Sequence, residues 1–165
     1  MRVLGIDTSL RSTGVGVIES LAGKTVAIEC GRIHNSDRIC LSECLRRIDV
    51  GIRDLIHRTK PDLASIEDIF FAKNAHTSMV LGEARGVVIA ACATSGIPVY
   101  QYEPRRVKQS ITGSGAAEKA QVRKMVMVLL GLKEEPQEDA GDALAIALCH
   151  LNSRSPVAEL NPKPI

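Results

Sequence analysis

The sequence predicts an α/β fold: a mixed five-stranded sheet, made of a three-strand antiparallel meander plus parallel strands, flanked by helices. Three observations carry this. Three β-rich runs follow one another near the start, with connections short enough to make an antiparallel meander. Segments of helical periodicity then precede each later strand, and such crossovers join parallel strands. The chain has 165 residues, 45% of them hydrophobic, which is the size of one domain with a sizeable core.

In chain order, Val3, Leu4 and Ile6 form a first strand ended by Asp7. Residues 14–18 alternate Gly with Val before a turn at Leu21-Ala22-Gly23-Lys24, and residues 25–33 supply the third strand. Leu41, Leu45, Ile48, Ile52 and Leu55 recur at spacings of three and four, with Arg46, Arg47, Arg53 and Asp54 off that stripe. This predicts an amphipathic helix with Ser36 or Asp37 as N-cap and Pro61 as its stop. Residues 63–67 follow as a strand ending in Glu67, and the crossover places it parallel to an earlier one. Residues 77–95 form a long helix bearing Ala and Gly, residues 99–102 a fifth strand after Gly96 and Pro98, and residues 104–111 a short helix. Beyond the 113–115 loop, Val122, Met125, Val126 and Leu129 mark a helix closed by Gly131, and a last helix runs from about Asp139 to Leu151. Residues 1–152 thus make one domain, and the Ser, Asn and Pro content of residues 153–165 predicts a loose tail.

A net charge of +2 neither demands nor excludes a polyanionic partner, so the local distribution decides. Between Glu103 and Met125 six basic residues (Arg105, Arg106, Lys108, Lys119, Arg123, Lys124) face two acidic ones, whereas residues 134–142 hold five carboxylates and no base. Five scattered cysteines without a C-x-x-C pair exclude a zinc knuckle and suit a reducing compartment. The start reads as a strand rather than a signal segment, and no apolar stretch approaches the ~20 residues of a membrane span. The expected location is cytoplasmic, with no membrane partner.

Four carboxylates stand out. Asp7 and Glu67 end two strands, and a parallel pair would bring both to one edge of the sheet. Asp139 and Asp142, three apart, share one face of a helix. Each has a structural alternative: Asp7 could cap the turn through Thr8-Ser9, and Asp139 and Asp142 could serve as N-cap and N3 of their helix. The set of four tips the balance, because clustered like charges repel and a cluster is stable at neutral pH only with cations between them. Oxygen donors without a Cys or His cluster suit Mg²⁺ or Mn²⁺ rather than zinc. Two such ions about 3.5 to 4 Å apart activate a water and stabilise the leaving oxygen of a phosphodiester. The basic strip, with Arg105, Lys108 and Lys119, would hold flanking phosphates. Phe70 or Phe71 could stack on a base, and Lys73 could contact a phosphate or merely sit in solvent. The Gly113-Ser114-Gly115 loop beside Lys119 could cradle a phosphate, while the four histidines share no spacing and read as incidental.

These residues resemble a known family. Gly5-Ile6-Asp7 with Thr13-Gly14-Val15-Gly16-Val17, Ile66-Glu67 with Phe70, Ala72-Lys73-Asn74, Leu81-Gly82-Glu83-Ala84-Arg85-Gly86, Val107-Lys108-Gln109, Ala117-Glu118-Lys119 and Asp139-Ala140-Gly141-Asp142-Ala143-Leu144-Ala145 look like the RuvC family of Holliday-junction resolvases. They occur in that family's order over about residues 1–152. The resemblance implies a ribonuclease H-like fold, a homodimer, four-way junction DNA as substrate, paired symmetric nicks, and work beside the RuvA and RuvB branch-migration proteins. It makes Asp7, Glu67, Asp139 and Asp142 the metal-binding catalytic acids, with two Mg²⁺ per subunit and Mn²⁺ as a substitute. Phe70 becomes a wedge or stack at the junction centre, and Lys108 and Lys119 become phosphate contacts. Two departures stand out. Thr8-Ser9 replaces the family's usual Pro-Gly, and Gly141 replaces its usual Ala, softening the helix start by up to about 1 kcal/mol. Neither removes a ligand.

Three other readings compete. A different ribonuclease H-like nuclease would differ in substrate preference. Actin-like ATPases share a Gly-Ile-Asp strand and Gly-bearing hairpin, but need two such lobes where this length holds one. A non-catalytic junction-binding module would not need four acids in these places.

Overall fold

The computed structural model describes residues 1–68, 74–155, 157, 159 and 161–165. Its elements are β1 (Arg2–Asp7), β2 (Ser12–Leu21), β3 (Lys24–His34), α1 (Leu41–Thr59), β4 (Leu63–Glu67), α2 (Ala75–Thr94), β5 (Val99–Tyr102), α3 (Pro104–Thr112), α4 (Lys119–Leu130) and α5 (Glu138–Asn152). The sheet order is β3-β2-β1-β4-β5, antiparallel between β1, β2 and β3 and parallel from β1 through β4 to β5. The expected α/β fold with a mixed five-stranded sheet is the one observed.

Period two sorts the strands onto two cores. Leu4, Ile6, Val15, Val17, Ala64 and Ile66 point to one face and pack with α1 and α2, where Ile48, Ile52, Ala84 and Val88 meet them. Val3, Ile18, Leu63 and Tyr102 point to the other and pack with α3, α4 and α5. Each fully buried aliphatic side chain contributes roughly 1.5–3 kcal/mol of apolar burial.

Two helix starts differ from the sequence reading. The first helix begins at Leu41 with Cys40 as N-cap, not after Ser36 or Asp37. The Arg11 guanidinium takes the Ser36 carbonyl at 2.7 Å and the Ile39 carbonyl at 3.3 Å, while the Ser36 hydroxyl accepts from the Arg38 N–H, so this stretch is held as a turn. A long-range arginine outcompetes the local cap signal. The stop is as expected: Lys60 turns left-handed (φ 48°) just before Pro61, which disfavours helix in the residue preceding it. The second helix begins earlier than expected, at Ala75, because Asn74 caps it by accepting from the His76 N–H at 2.9 Å. In the tail, the Ile165 N–H donates to the Val99 carbonyl on the edge strand β5 at 2.9 Å.

The last helix, α5, is buried over most of its length and lies across β1 and β2. It comes so close because its floor is glycine. A Cβ at Gly5 would stand 1.9 Å from the Ala143 carbonyl oxygen, and one at Gly14 would stand 2.0 Å from that of Asp139. Gly141, on the same helix, is the opposite case: a Cβ there would meet Arg123 and Pro136 at 3.6 Å, ordinary contact. Gly141→Ala is therefore expected to stabilise the protein by roughly 0.5–1 kcal/mol, read as a higher thermal midpoint. A lower midpoint would mean that the gap at Gly141 is used.

Candidate active site

The same alternation that faces Val3 and Gly5 toward α5 faces Asp7 that way, and Leu63 and Ser65 do the same for Glu67. The two strands are parallel neighbours with Ile6 opposite Ile66, so both carboxylates leave the sheet at one edge. Asp142 descends on them from α5. Asp7, Glu67 and Asp142 line one cavity of about 270 Å³, together with Lys108 from α3, Lys119 from α4 and apolar walls such as Val107 and Ile146. Asp139 sits one turn earlier on α5, outside the cavity lining, and accepts a short hydrogen bond from the Ser12 hydroxyl. Its main chain rests on Gly14, which is paired with Asp7 across the β1–β2 ladder. Glycine at 14 thus lets Asp139 approach Asp7.

Electrostatics record the crowding. Burial first, then Asp142, raises Asp7 from 3.8 to about 6, with Asp139 and Glu138 adding and Lys119 opposing. Burial, then Asp7 and Asp142, raises Glu67 from 4.5 to about 7, opposed by Lys119 and Lys108. The Lys119 ammonium donates to Asp142 at 3.0 Å and lies 3.6 Å from Glu138, and the Asp142 bond holds its own pKa above the ordinary lysine value.

These two carboxyls hold protons more tightly in the metal-free folded protein than in the unfolded chain. Their contribution is therefore fully present below the ordinary carboxyl range and is lost as pH rises through about 6 to 7. Glu67→Gln should accordingly melt higher than the parent in metal-free buffer, by a margin that grows from pH 4.5 to about pH 8. A margin flat across that range would show that Glu67 titrates as an ordinary surface acid.

The capping alternative does not describe α5. Its N-cap is Gln137, without a side-chain cap bond, and Asp139 and Asp142 are the second and fifth helical residues. The loop after Asp7 is held without Pro-Gly: the Thr13 hydroxyl donates to the Ser9 carbonyl, and the buried Asn35 amide donates to the Leu10 carbonyl at 2.8 Å.

Among the described residues, no three Asp, Glu, His or Cys side chains close on one point as a ligand cage. The donor set nevertheless suits a hard divalent cation, because the oxygens are carboxylates, and at Asp7 and Glu67 burial and then neighbouring carboxylates disfavour the charged form unless a cation joins them. Lys119 supplies one cation to Asp142.

The other predicted residues scatter. Arg105 is exposed on α3 and lies against Gly115 rather than lining the cavity. Arg106 stands over the Tyr102 ring at 5.9 Å. Phe70, Phe71 and Lys73 lie outside the described residues. Sequence reading missed Ser12 and Glu138; strand alternation through Ser12, Gly14 and Gly16 was the signal for the first. His150, read as incidental, is buried, with Nδ1 bonded to the Tyr102 hydroxyl at 2.8 Å and burial lowering its pKa to about 4. All five cysteines are free, and among the described residues no helix is long and apolar enough to cross a membrane.

Comparison with known proteins agrees. The family model "Crossover junction endodeoxyribonuclease RuvC" matches residues 3–150. The protein of that name from Caldicellulosiruptor saccharolyticus is 46% identical over 95% of this chain and 96% of its own length. That from Tolumonas auensis is 46% identical over 98% of this chain and 92% of its own. The solved structure of T. thermophilus RuvC in complex with Holliday junction substrate is similar over 100% of this chain and 99% of its own, with a TM-score of 0.91 and 34% identity. With a family model matched over residues 3–150, relatives 46% identical along nearly its whole length and the same fold, the chain belongs to the RuvC family of crossover junction endodeoxyribonucleases, on a ribonuclease H-like fold.

Proposed function

We propose that this protein resolves four-way (Holliday) DNA junctions during recombination and repair, by paired, symmetric phosphodiester hydrolysis. The observation that carries the reading is the convergence of Asp7, Glu67 and Asp142 with Lys108 and Lys119 on one cavity. Asp7, Glu67, Asp139 and Asp142 would hold Mg²⁺, two ions per subunit, with Mn²⁺ as a substitute. When bound, such ions make a water nucleophilic at neutral pH and stabilise the departing oxygen. The chain's own groups do the rest. Ser12 holds Asp139 in place, and Val107 and Ile146 give the cavity apolar walls beside the acids, which strengthens the electrostatics there. Lys108 and Lys119 neutralise phosphates flanking the scissile bond, and a phosphate drawing Lys119 away would free Asp142 for ligation. Arg105, Lys73 and Phe70 extend the DNA contact, Phe70 as a stack or wedge at the junction centre.

Two symmetric nicks call for two copies of the site. The α2 helix supports a homodimer: Gly82, Gly86 and Ala90 are exposed, and nothing stands within 4 Å of a Cβ built at either glycine, while Ala84 and Ala91 are buried in their own subunit. Sedimentation giving an active monomer at micromolar concentration would reject the dimer. RuvA and RuvB are the partners the family implies, and five free thiols with a DNA substrate suit the cytoplasm.

The test sets synthetic four-way junctions beside matched linear duplexes, with Mg²⁺, and resolves products on denaturing gels. Paired nicks on the junction alone are expected; equal cutting of both substrates would reject the reading. In the same system, Lys108→Ala and Lys119→Ala should each weaken binding and make the slope of log K against log salt shallower by roughly one unit. An unchanged slope would leave these lysines as solvated surface.

A further inference from the structure

We infer that Arg85 is a positioning residue that holds Glu67 in place from the opposite face of the sheet. The inference rests on the proposed role of Glu67. Arg85 lies on α2, across the sheet from the cavity, and its side chain is only 12% exposed. One arm of the guanidinium, Nη1, donates to the main-chain carbonyl of Glu67 at 2.8 Å. The other, Nη2, donates to the Gln101 side-chain oxygen on β5 at 2.6 Å and lies 4.0 Å from the Asp68 carboxylate.

The place of that carbonyl explains why an arginine stands there. The N–H groups of Ala64 and Asp68 donate to the carbonyls of Pro98 and Tyr102 on the β5 side. In a parallel ladder alternate residues face opposite neighbours, so Ser65 and Glu67 turn their main-chain groups toward β1. The β1–β4 ladder ends with Ile6 opposite Ile66, and β1 itself ends at Asp7. The Glu67 carbonyl therefore lies just past the ladder, and Arg85 supplies a donor there. Gln101 points to the α2 face because its neighbours Tyr100 and Tyr102 pack on the α5 side. The fork thus spans β4 and β5 where the strand gives way to the next connection, and a flexible lysine head could not hold both acceptors in this geometry. Burying a guanidinium is costly, and the cost is offset here by three polar partners, two at the end of β4 and one on β5. Because Arg85 touches main chain and not the carboxylate, it sets where the Glu67 side chain starts without sharing in the chemistry.

The experiment measures Mn²⁺ binding by calorimetry on the full chain without DNA, beside thermal melting, metal-free junction affinity and single-turnover nicking. Arg85→Gln should weaken Mn²⁺ binding by about 10- to 100-fold, the range seen when outer partners of metal ligands are removed. Junction affinity without metal should stay within about twofold, since phosphates are gripped elsewhere. Val88→Ala is the control: it loosens the same helix in the core but leaves Glu67 alone, so it should melt lower with Mn²⁺ binding unchanged. Gln101→Leu takes one anchor from the fork and should weaken Mn²⁺ binding in the same direction by less, which decides the matter if Arg85→Gln does not fold. Arg85→Gln or Gln101→Leu variants that melt lower yet bind Mn²⁺ like the parent overturn the inference. Glu67→Gln separates the two readings. If it binds Mn²⁺ and cuts like the parent, the assignment of Glu67 itself fails, whatever Arg85 does.

Discussion

Asp7→Asn and Asp142→Asn should each lower junction cleavage by several orders of magnitude while leaving the protein folded and able to bind junctions. Both changes keep the shape of the side chain and remove a charge. In the metal-free protein the Asp7 charge is a burden, since burial and then Asp142 push its pKa up to about 6, so Asp7→Asn should not melt lower than the parent. Asp142→Asn also weakens the bond from Lys119 and should melt close to the parent. Binding should persist because the proposed phosphate contacts are Lys108 and Lys119, and without metal it should tighten as repulsion of phosphates falls. Had Asp139 and Asp142 been cap residues, Asn would have replaced them at almost no cost. With Gln137 at the N-cap that alternative has no geometry to stand on. The measurement is single-turnover nicking in saturating Mg²⁺, with melting and binding on the same preparations. Variants that cut near the parental rate would remove the acids from the mechanism.

Gly14→Ala and Gly5→Ala should be the most destabilising single-methyl changes in the chain. The added carbon would stand 2.0 Å or less from a carbonyl oxygen of α5 in each case, and neither backbone can yield without lifting the helix from the sheet. Overpacking of this kind costs about 1–3 kcal/mol and occasionally more, and contact with rigid backbone places these two at the upper end. A loss of about 3 kcal/mol lowers the thermal midpoint by roughly 6–12 °C in a chain of this length. Gly16→Ala should cost less, because its nearest neighbour is the side chain of Leu144, which can turn away. The functional consequence separates the two large cases. Gly14 carries Asp139, so Gly14→Ala should also reduce cleavage below what its folded fraction explains, by moving a proposed ligand away from Asp7. Cleavage that follows the folded fraction alone would mean that Asp139 tolerates displacement.

The change Gly141→Ala, in the same helix, carries the opposite expected sign. A glycine's meaning is set by what stands above it, and that cannot be read from the residue. Gly5, Gly14, Gly82 and Gly141 all recur in the family-like motifs of the sequence, yet two are floors for α5, one is open to solvent and one has room for a methyl.

Local and periodic information is what the sequence by itself determined. Alternation assigned faces to the strands, the three-and-four spacing drew α1, and Pro61 ended it. Asp7 and Glu67 were legible as strand-end acids because a strand's face and end are properties of a few consecutive residues. Their meeting followed from one further rule, that a crossover makes the next strand parallel. The tertiary structure alone decided everything that depends on a partner distant in the chain. Arg11 displaced the expected cap at Ser36, Lys119 paired with Asp142 across 23 positions, Ser12 reached Asp139 across 127, and Arg85 gripped the Glu67 carbonyl from the far face. The physical reason is common to all four. A hydrogen bond forms with whatever group the packed backbone brings within about 3 Å, and that distance is settled by the whole core, not by neighbours in the chain.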